Sequence, residues 1–529
     1  MLRDFWLEEA ETEKDEKRSL AFAAVETAGP AFLGATVGCA KCHDHMFDPI
    51  RQADYYGLKA MFDPVVIEQQ VLAGPREQAL NQLALDHYQK REKELQKALD
   101  DFLTPYKERL QGERIHQLPQ DVQEALKTPE DKRNPAQKKL AEDYAPIIRI
   151  DPPKYKEIMT PEEVKVYDGL RTPLLALAKP ADLETFWTVR EDEKLAQEKS
   201  HILETGDPDK PKGEVERTFH IANLGFDVPS VTAEKKPFTT GARQSLVAWM
   251  LDPKNPLLAR VAVNRLWQWH FGTGLVKTPS DFGALSEPPS HPELLDWLAA
   301  QFVESGYSMK AMHRLMVTSR TYQLSSRTLA ADSSIDPDNV YLWRYPTRRM
   351  TAEELRDSIL LLSGKLDLKI GGKSFTDLPD YFYPGSRKVI GNFNRETNRR
   401  AIYMARGYDS TAEIMPNYLH IFDVDNGKLP TPVRNRSITA LQALTLMNSP
   451  LVEQASLEFA KRLMKESKDD PEKAVGMGFT MALSREPSEK EKKAVLKLIQ
   501  ECQGCEAGAQ GLEKLAWLLF NLDEFVFIQ

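Results

Sequence analysis

A chain of 529 residues with 41% hydrophobic and 28% charged residues has the balance of a folded protein of two or three domains and excludes a disordered one. Its formal charge of −9 is made of both signs mixed along the chain, and the absence of a basic stripe with interleaved aromatics argues against nucleic acid as a partner. No run of about 18 apolar residues occurs, so no transmembrane segment is encoded.

In chain order, MLRDFWLEEAETEKDEKRSL is acidic and helical in flavour and lacks the basic and apolar regions of a secretory signal. Taken literally that points to the cytoplasm, although a late start or a fragment would look the same. Residues 20–62 read as a compact helical region: small residues up to GCAKC, an Asp48-Pro49 turn, then a helix through DYYGLKAMF. Its Tyr55, Tyr56, Leu58, Met61 and Phe62 have the spacing of a buried face. Residues 76–145 are charged and helical, with Leu95, Leu99, Phe102 and Tyr106 forming one apolar stripe and Pro105 expected to kink or end the helix. Around 183–235, ETFWTVRE and the turn GDPDKPKG between short alternating runs predict strands.

From 240 onward helices dominate. SEPPSHPELLDWLAAQF begins with Ser290 as a candidate cap, Pro292 in the first turn and Glu293 completing a capping box. MKAMHRLMVTSRTYQ and TAEELRDSILLLSGKLDL follow as amphipathic helices, the latter stopped by Gly364, whereas 366–435 reads as a long irregular insertion. The expected fold is mainly α and multidomain, a helical body with a projecting helical hairpin and a small β module. The divisions are 1–63 with the cysteine motif, 64–182 as a charged arm, 183–239 as the β module and 240–529 as a mainly helical domain.

Four cysteines in a chain this long make no disulfide scaffold, but they fall as two C-x-x-C pairs. Cys39-Ala-Lys-Cys42-His43 has the spacing of c-type haem attachment: two thiols three apart reach the two vinyl groups of one porphyrin edge, and the adjacent imidazole ligates the iron. Chance would spell it roughly once in a thousand chains of this composition. The rival set is Cys39, Cys42, His43, His45 and Asp48 closing a zinc site in a loop. For a sixth haem ligand, His45 and Met46 are too near in sequence, while Met61, His220, His270 and His291 are remote candidates. Cys502 and Cys505 lack a following histidine and read as incidental, as a local disulfide, or as half of a zinc site. RVAVNRLWQWHFGTGLVKTPSDFG gathers Arg260, Asn264, Arg265, Trp267, His270, Lys277 and Asp281, and a structural network at a helix end is favoured over a polar active site.

GCAKCHDHMFDPIRQADYYGLKAMF resembles the end of the planctomycete cytochrome C-like domain of the second type, and NPLLARVAVNRLWQWHFGTGLVKTPSDFGALSEPPSHPELLDWLAAQF resembles the planctomycete secreted domain. The second likeness continues through RRMTAEELRDSILLLSGKLDL, FDVDNG, RSITALQALTLMNSPLV and LAWLLFNLDEFVFIQ. The resemblance implies export to the periplasm or beyond and a longer natural chain with a signal peptide. It also makes Cys39, Cys42, His43, His45 and Asp48 motif positions, while Cys502 and Cys505 fall outside the pattern. The expected function is an exported haem c protein of electron-transfer or redox role with a redox partner. Alternatives are a cell-exterior structural or interaction protein with a zinc-stabilised knuckle, and a hydrolase of extracellular polymers built around Arg265, His270 and the 366–435 insertion.

Overall fold

The computed structural model describes residues 13–129, 132–148, 152–221, 239–372, 374–375, 398–409, 412–414, 417–425, 427, 431–501 and 509–528. The fold is mainly α, with only short two-stranded pairings among the described residues. Two compact units are present: Met1–Val66 together with Val189–Gln529, and Ile67–Thr188.

The first unit opens on helix α1 (Glu13–Ala28) and reaches helix α2 (Gln52–Ala60) through a π turn at Gly29–Leu33 and a 3-10 turn at Val37–Lys41. The aromatic run of α2 turns inward as its spacing predicts: Tyr55, Tyr56, Leu58 and Met61 are sealed from solvent, and Phe62 packs at the edge. They share a core with Phe22, Val25 and Leu33 and with Phe219, Leu246 and Trp249 from far along the chain. That core also seals Met61 away from any ligand at the surface.

Strand β1 (Val65–Val71) leads into the second unit, whose spine is helix α3 (Pro75–His116). Its stripe packs as expected, with Leu99 buried and Leu95, Phe102 and Tyr106 partly so. Pro105, however, neither ends nor interrupts the helix. One backbone bond is lost there, but the Phe102 and Tyr106 rings meet across it, 5.5 Å between centroids, and α3 packs lengthwise on helix α4 (Pro161–Ala176). A Thr160–Glu163 capping box starts α4.

The two strand signals beyond residue 183 are both strands but take different partners. Strand β2 (Thr185–Glu191) pairs with β1, whereas β3 (Ser200–Leu203) and β4 (Pro211–Val215) make an antiparallel hairpin. Helix α5 (Ala242–Met250) joins the aromatic core of α1 and α2. Helices α6 (Leu257–Phe271), α7 (Pro292–Glu304) and α8 (Met309–Val317) build a second core around Trp267, Phe271, Leu298 and Met312. The expected cap at Ser290 is corrected: the residue before α7 is His291, which makes no capping bond, and Ser290 Oγ instead meets His291 Nδ1 at 3.0 Å.

Strand β5 (Arg348–Arg349) precedes helix α9 (Ala352–Leu362), which starts on a Thr351–Glu354 capping box and is followed by Gly364 at φ 73. Helices α10 (Pro450–Ser467), α11 (Pro471–Leu483) and α12 (Ala509–Phe520) form a third core with α9 around Phe459, Leu463, Leu515 and Phe520. The chain returns to pair strand β6 (Phe527–Ile528) with β5.

Candidate functional site

The Cys39–Asp48 turn hangs on the aromatic core. Along the 3-10 turn, residues three apart eclipse one another, so Val37 and Ala40 share the inward edge and both are buried. Cys39 stands within the turn and Cys42 just past its end, and both are exposed free thiols. Tyr56 anchors the turn from below, its hydroxyl donating to Lys41 O at 3.0 Å. Burial and the nearby Cys42 push that phenol up to about 12, so it stays a donor. Gln52 Nε2 donates to both Lys41 O and Leu203 O at 3.1 Å, tying the motif to the β3–β4 hairpin.

The two cysteines are not equivalent. Cys42 Sγ donates to Thr205 O at 3.1 Å, at the tip of that hairpin. Gly206 has φ 81, and a Cβ there would stand 3.2 Å from Cys42 Sγ, so the close approach favours glycine on both counts. His43 is exposed, and its Nδ1 lies 2.7 Å from Asp44 O. A carbonyl can only accept, so Nδ1 carries the proton and Nε2 keeps its lone pair. Gln52 N donates to Asp44 Oδ1 at 2.8 Å, fixing the residue that orients the ring.

His45 and Asp48 do the opposite. The His45 side chain is 6% exposed, and its Nδ1 accepts from the amides of Asp48 at 2.8 Å and Phe47 at 3.3 Å. Nε2 therefore bears the proton and meets Thr36 Oγ1 at 3.4 Å. The 3.6 Å separation of His45 Nδ1 and Asp48 Oδ2 is a contact between two acceptors, not an ion pair. Asp48 Oδ1 accepts from Ala284 N at 2.7 Å, and a Cβ on Gly283 would stand 2.4 Å from Asp48 Oδ2. Glycine at 283 is what lets the carboxylate come this close. Asp48 thereby staples the turn to the loop after α6.

Arg265 makes a second staple. Its guanidinium donates to Ala31 O, to Pro30 O at 3.0 Å, to Pro279 O at 3.2 Å and to Ser280 Oγ at 3.3 Å. Burial among these oxygens pulls its ionisation down. Nearby, Asn264 is fully buried and exchanges bonds with Val276, donating to its O at 3.0 Å and accepting from its N at 2.8 Å. Arg260 pairs with Asp296, Lys277 with Glu287, and Asp281 accepts from Gly283 N. The segment is thus a structural network, and Arg265 joins it to the cysteine segment.

The zinc set does not come together: among the described residues no three His, Cys, Asp or Glu side chains converge as ligands of one ion, and His45 Nδ1 and Asp48 Oδ1 each accept a backbone amide. Cys39, Cys42 and His43, the residues of the haem reading, are all exposed. Of the remote ligand candidates, Met61 is in the core, His291 meets Ser290, and His270 faces His313. Cys502 and Cys505 lie outside the described residues. Sequence reasoning placed Gly206 in a turn but tied neither it nor Thr205 and Gly283 to the cysteine motif. A Gly after Thr in a hairpin tip is the one signal that marked any of them.

A helical body bearing a surface C-x-x-C-H turn, stapled to an α-helical domain by Asp48 and Arg265, defines the class of protein. Residues 2–66 match the family described as PSCyt2, a protein of unknown function (DUF1549). Residues 242–499 match PSD1, a protein of unknown function (DUF1553). The stretch that matches PSCyt2, a family of planctomycete cytochrome C-like type, precedes the stretch that matches PSD1. No curated protein and no solved structure matches it.

Proposed function

We propose that this is an exported protein that attaches haem c through Cys39 and Cys42, with His43 as axial ligand, and serves electron transfer or another redox role. The observation that carries the reading is the division of the motif. His45 and Asp48 face inward and accept structural backbone bonds, whereas Cys39, Cys42 and His43 face solvent. The trailing His-x-x-Asp-Pro, unneeded for haem attachment, is explained by stapling and requires no metal.

In this reading the 3-10 turn sets the spacing of the thiols, and Asp44 holds the His43 ring so that Nε2 is the ligating nitrogen. Tyr56 and Gln52 keep the turn in place from the core side. When bound, haem supplies a one-electron couple whose potential the axial ligand tunes. Export is supported by the family pair and is required by the chemistry, because c-type haem is attached outside the cytoplasm. Among the described residues no helix is long and apolar enough to cross a membrane.

The test is a pyridine haemochrome spectrum of protein exported from a host with cytochrome c maturation machinery. A c-type α-band that vanishes in Cys39→Ser and Cys42→Ser is the expected result. A folded, colourless protein carrying stoichiometric zinc would overturn the reading in favour of a metal knuckle of a cell-exterior structural protein.

A further inference from the structure

A second polar constellation lies in the PSD1 domain and is independent of the Cys39–His43 turn. Four elements meet there: the end of α6 with His270, α8 with His313, strand β5 with Arg348 and Arg349, and the loop 431–437 with Arg436. His270 Nε2 lies 2.8 Å from His313 Nδ1. Arg436 Nη1 lies 3.7 Å from the position of a Cβ on Gly272, the residue that terminates α6 at φ 87. Residues from 270 to 436 are thereby brought to one place, with cations in excess.

The charges do not balance. Arg348 is held by both oxygens of Glu354, at 3.1 and 3.2 Å. Arg349 donates one nitrogen to Asp423 at 2.7 Å, and that carboxylate also accepts from Ser437 N, Ser437 Oγ and Gln442 Nε2. Both carboxylates are therefore committed. Arg436 is exposed and has no carboxylate within ion-pair distance among the described residues. Desolvation of its guanidinium by the packed neighbours, then Arg348 and Arg349, pull its ionisation down, against an opposing pull from Glu354.

Unused donors accompany the excess charge. Arg349 is 5% exposed, yet its Nε and Nη1 have no hydrogen-bond partner, and Arg348 Nε is likewise orphaned. Buried donors left unpaired are costly, and a native fold retains them where a ligand, ion or water completes them. A guanidinium presents its N–H groups in a fork that fits oxyanions and takes two oxygens at once. A tetrahedral group does this and still keeps further oxygens for a neighbouring donor, which chloride cannot.

We propose that Arg436, in the field of Arg348 and Arg349, forms a binding site for a sulfate or phosphate group. Arg436 receives the group at the surface, and the two β5 arginines, fixed by Glu354 and Asp423, supply the positive field behind it.

The test uses the whole chain and follows thermal unfolding while inorganic sulfate, inorganic phosphate and a methyl ester of each are titrated at constant ionic strength against chloride. Saturable stabilisation by the tetrahedral ions but not chloride is expected. Arg436→Gln should weaken the apparent affinity about tenfold or more, as loss of a charge-assisted bidentate contact does, while Lys490→Gln, which removes the same charge from an exposed helix elsewhere, should leave it unchanged. Ester binding as tight as that of the free ion assigns a group carried on a larger molecule, and ester binding tenfold weaker assigns the free ion. Absence of saturation, or equal affinity in Arg436→Gln and Lys490→Gln, would overturn the proposal. Since Arg436 is exposed and unpaired, its variant is expected to fold, and far-ultraviolet circular dichroism checks that it does.

Discussion

Residues 39–43 and residues 45–48 adjoin in sequence and part company in space. The first stretch shows two thiols and an imidazole to solvent, while the second buries an imidazole and spends a carboxylate on the amide of Ala284. One motif thus holds a solvent-facing half, which is the ligand-facing half in the haem proposal, and a fold-facing half. The difference teaches that a string of His, Cys and Asp is no measure of how many of them bind metal. What decides is which lone pairs the backbone has already taken.

Substitutions can break or sharpen that contrast. The largest effect belongs to the fold-facing side. Arg265→Met strands the carbonyls of Pro30, Ala31 and Pro279 in a half-buried site, and urea unfolding should show a loss on the order of 3 kcal/mol. Next is Asp48→Ala, which leaves Ala284 N unpaired and should cost about 1–2 kcal/mol. If either variant unfolds at the wild-type midpoint, the staples are incidental. On the ligand-facing side, Cys39→Ser and His43→Ala should stay within about 0.5 kcal/mol of wild type while abolishing haem attachment or altering the haem spectrum. A destabilised His43→Ala would erase the contrast.

The smallest effect concerns pH. Burial, then His313 and Arg348, hold His270 below the ordinary histidine range. Below about pH 6.5 the unfolded chain binds a proton that folded His270 refuses, so stability contributed by this residue is complete above that pH and declines as pH falls below it. His270→Gln should flatten this slope in thermal scans between pH 7 and pH 5. A slope unchanged by the substitution would place the titration elsewhere.

Much of the fold was legible because periodicity reports burial directly. The Tyr55–Met61 face, the Leu95–Tyr106 stripe and the stop of α9 before Gly364 follow from spacing and residue type. The helix end expected at Pro105 did not occur because a local rule about one lost backbone bond says nothing of the packing on either side of it. The Ser290 cap misled because a pattern of residue types does not fix which one turns first. At the site, C-x-x-C-H was legible as spelling, but its division into two faces was not. That division depends on Ala284, Thr205 and Thr36, which no spacing rule connects to residues 48, 42 and 45 respectively. Arg265 was readable as part of a structural network, although its partners 234 and 235 residues away were not. The basic cluster at Arg436 was invisible for the same reason, since its members come from four separate elements.

The most direct measurement is the mass of the proteolytic peptide that spans Cys39 and Cys42, taken from protein exported in a host competent for cytochrome c maturation. The haem reading predicts one peptide carrying a single haem joined to both sulfurs, absent when either cysteine is serine. A peptide of unmodified mass from folded protein, with both thiols still open to alkylation, would contradict it.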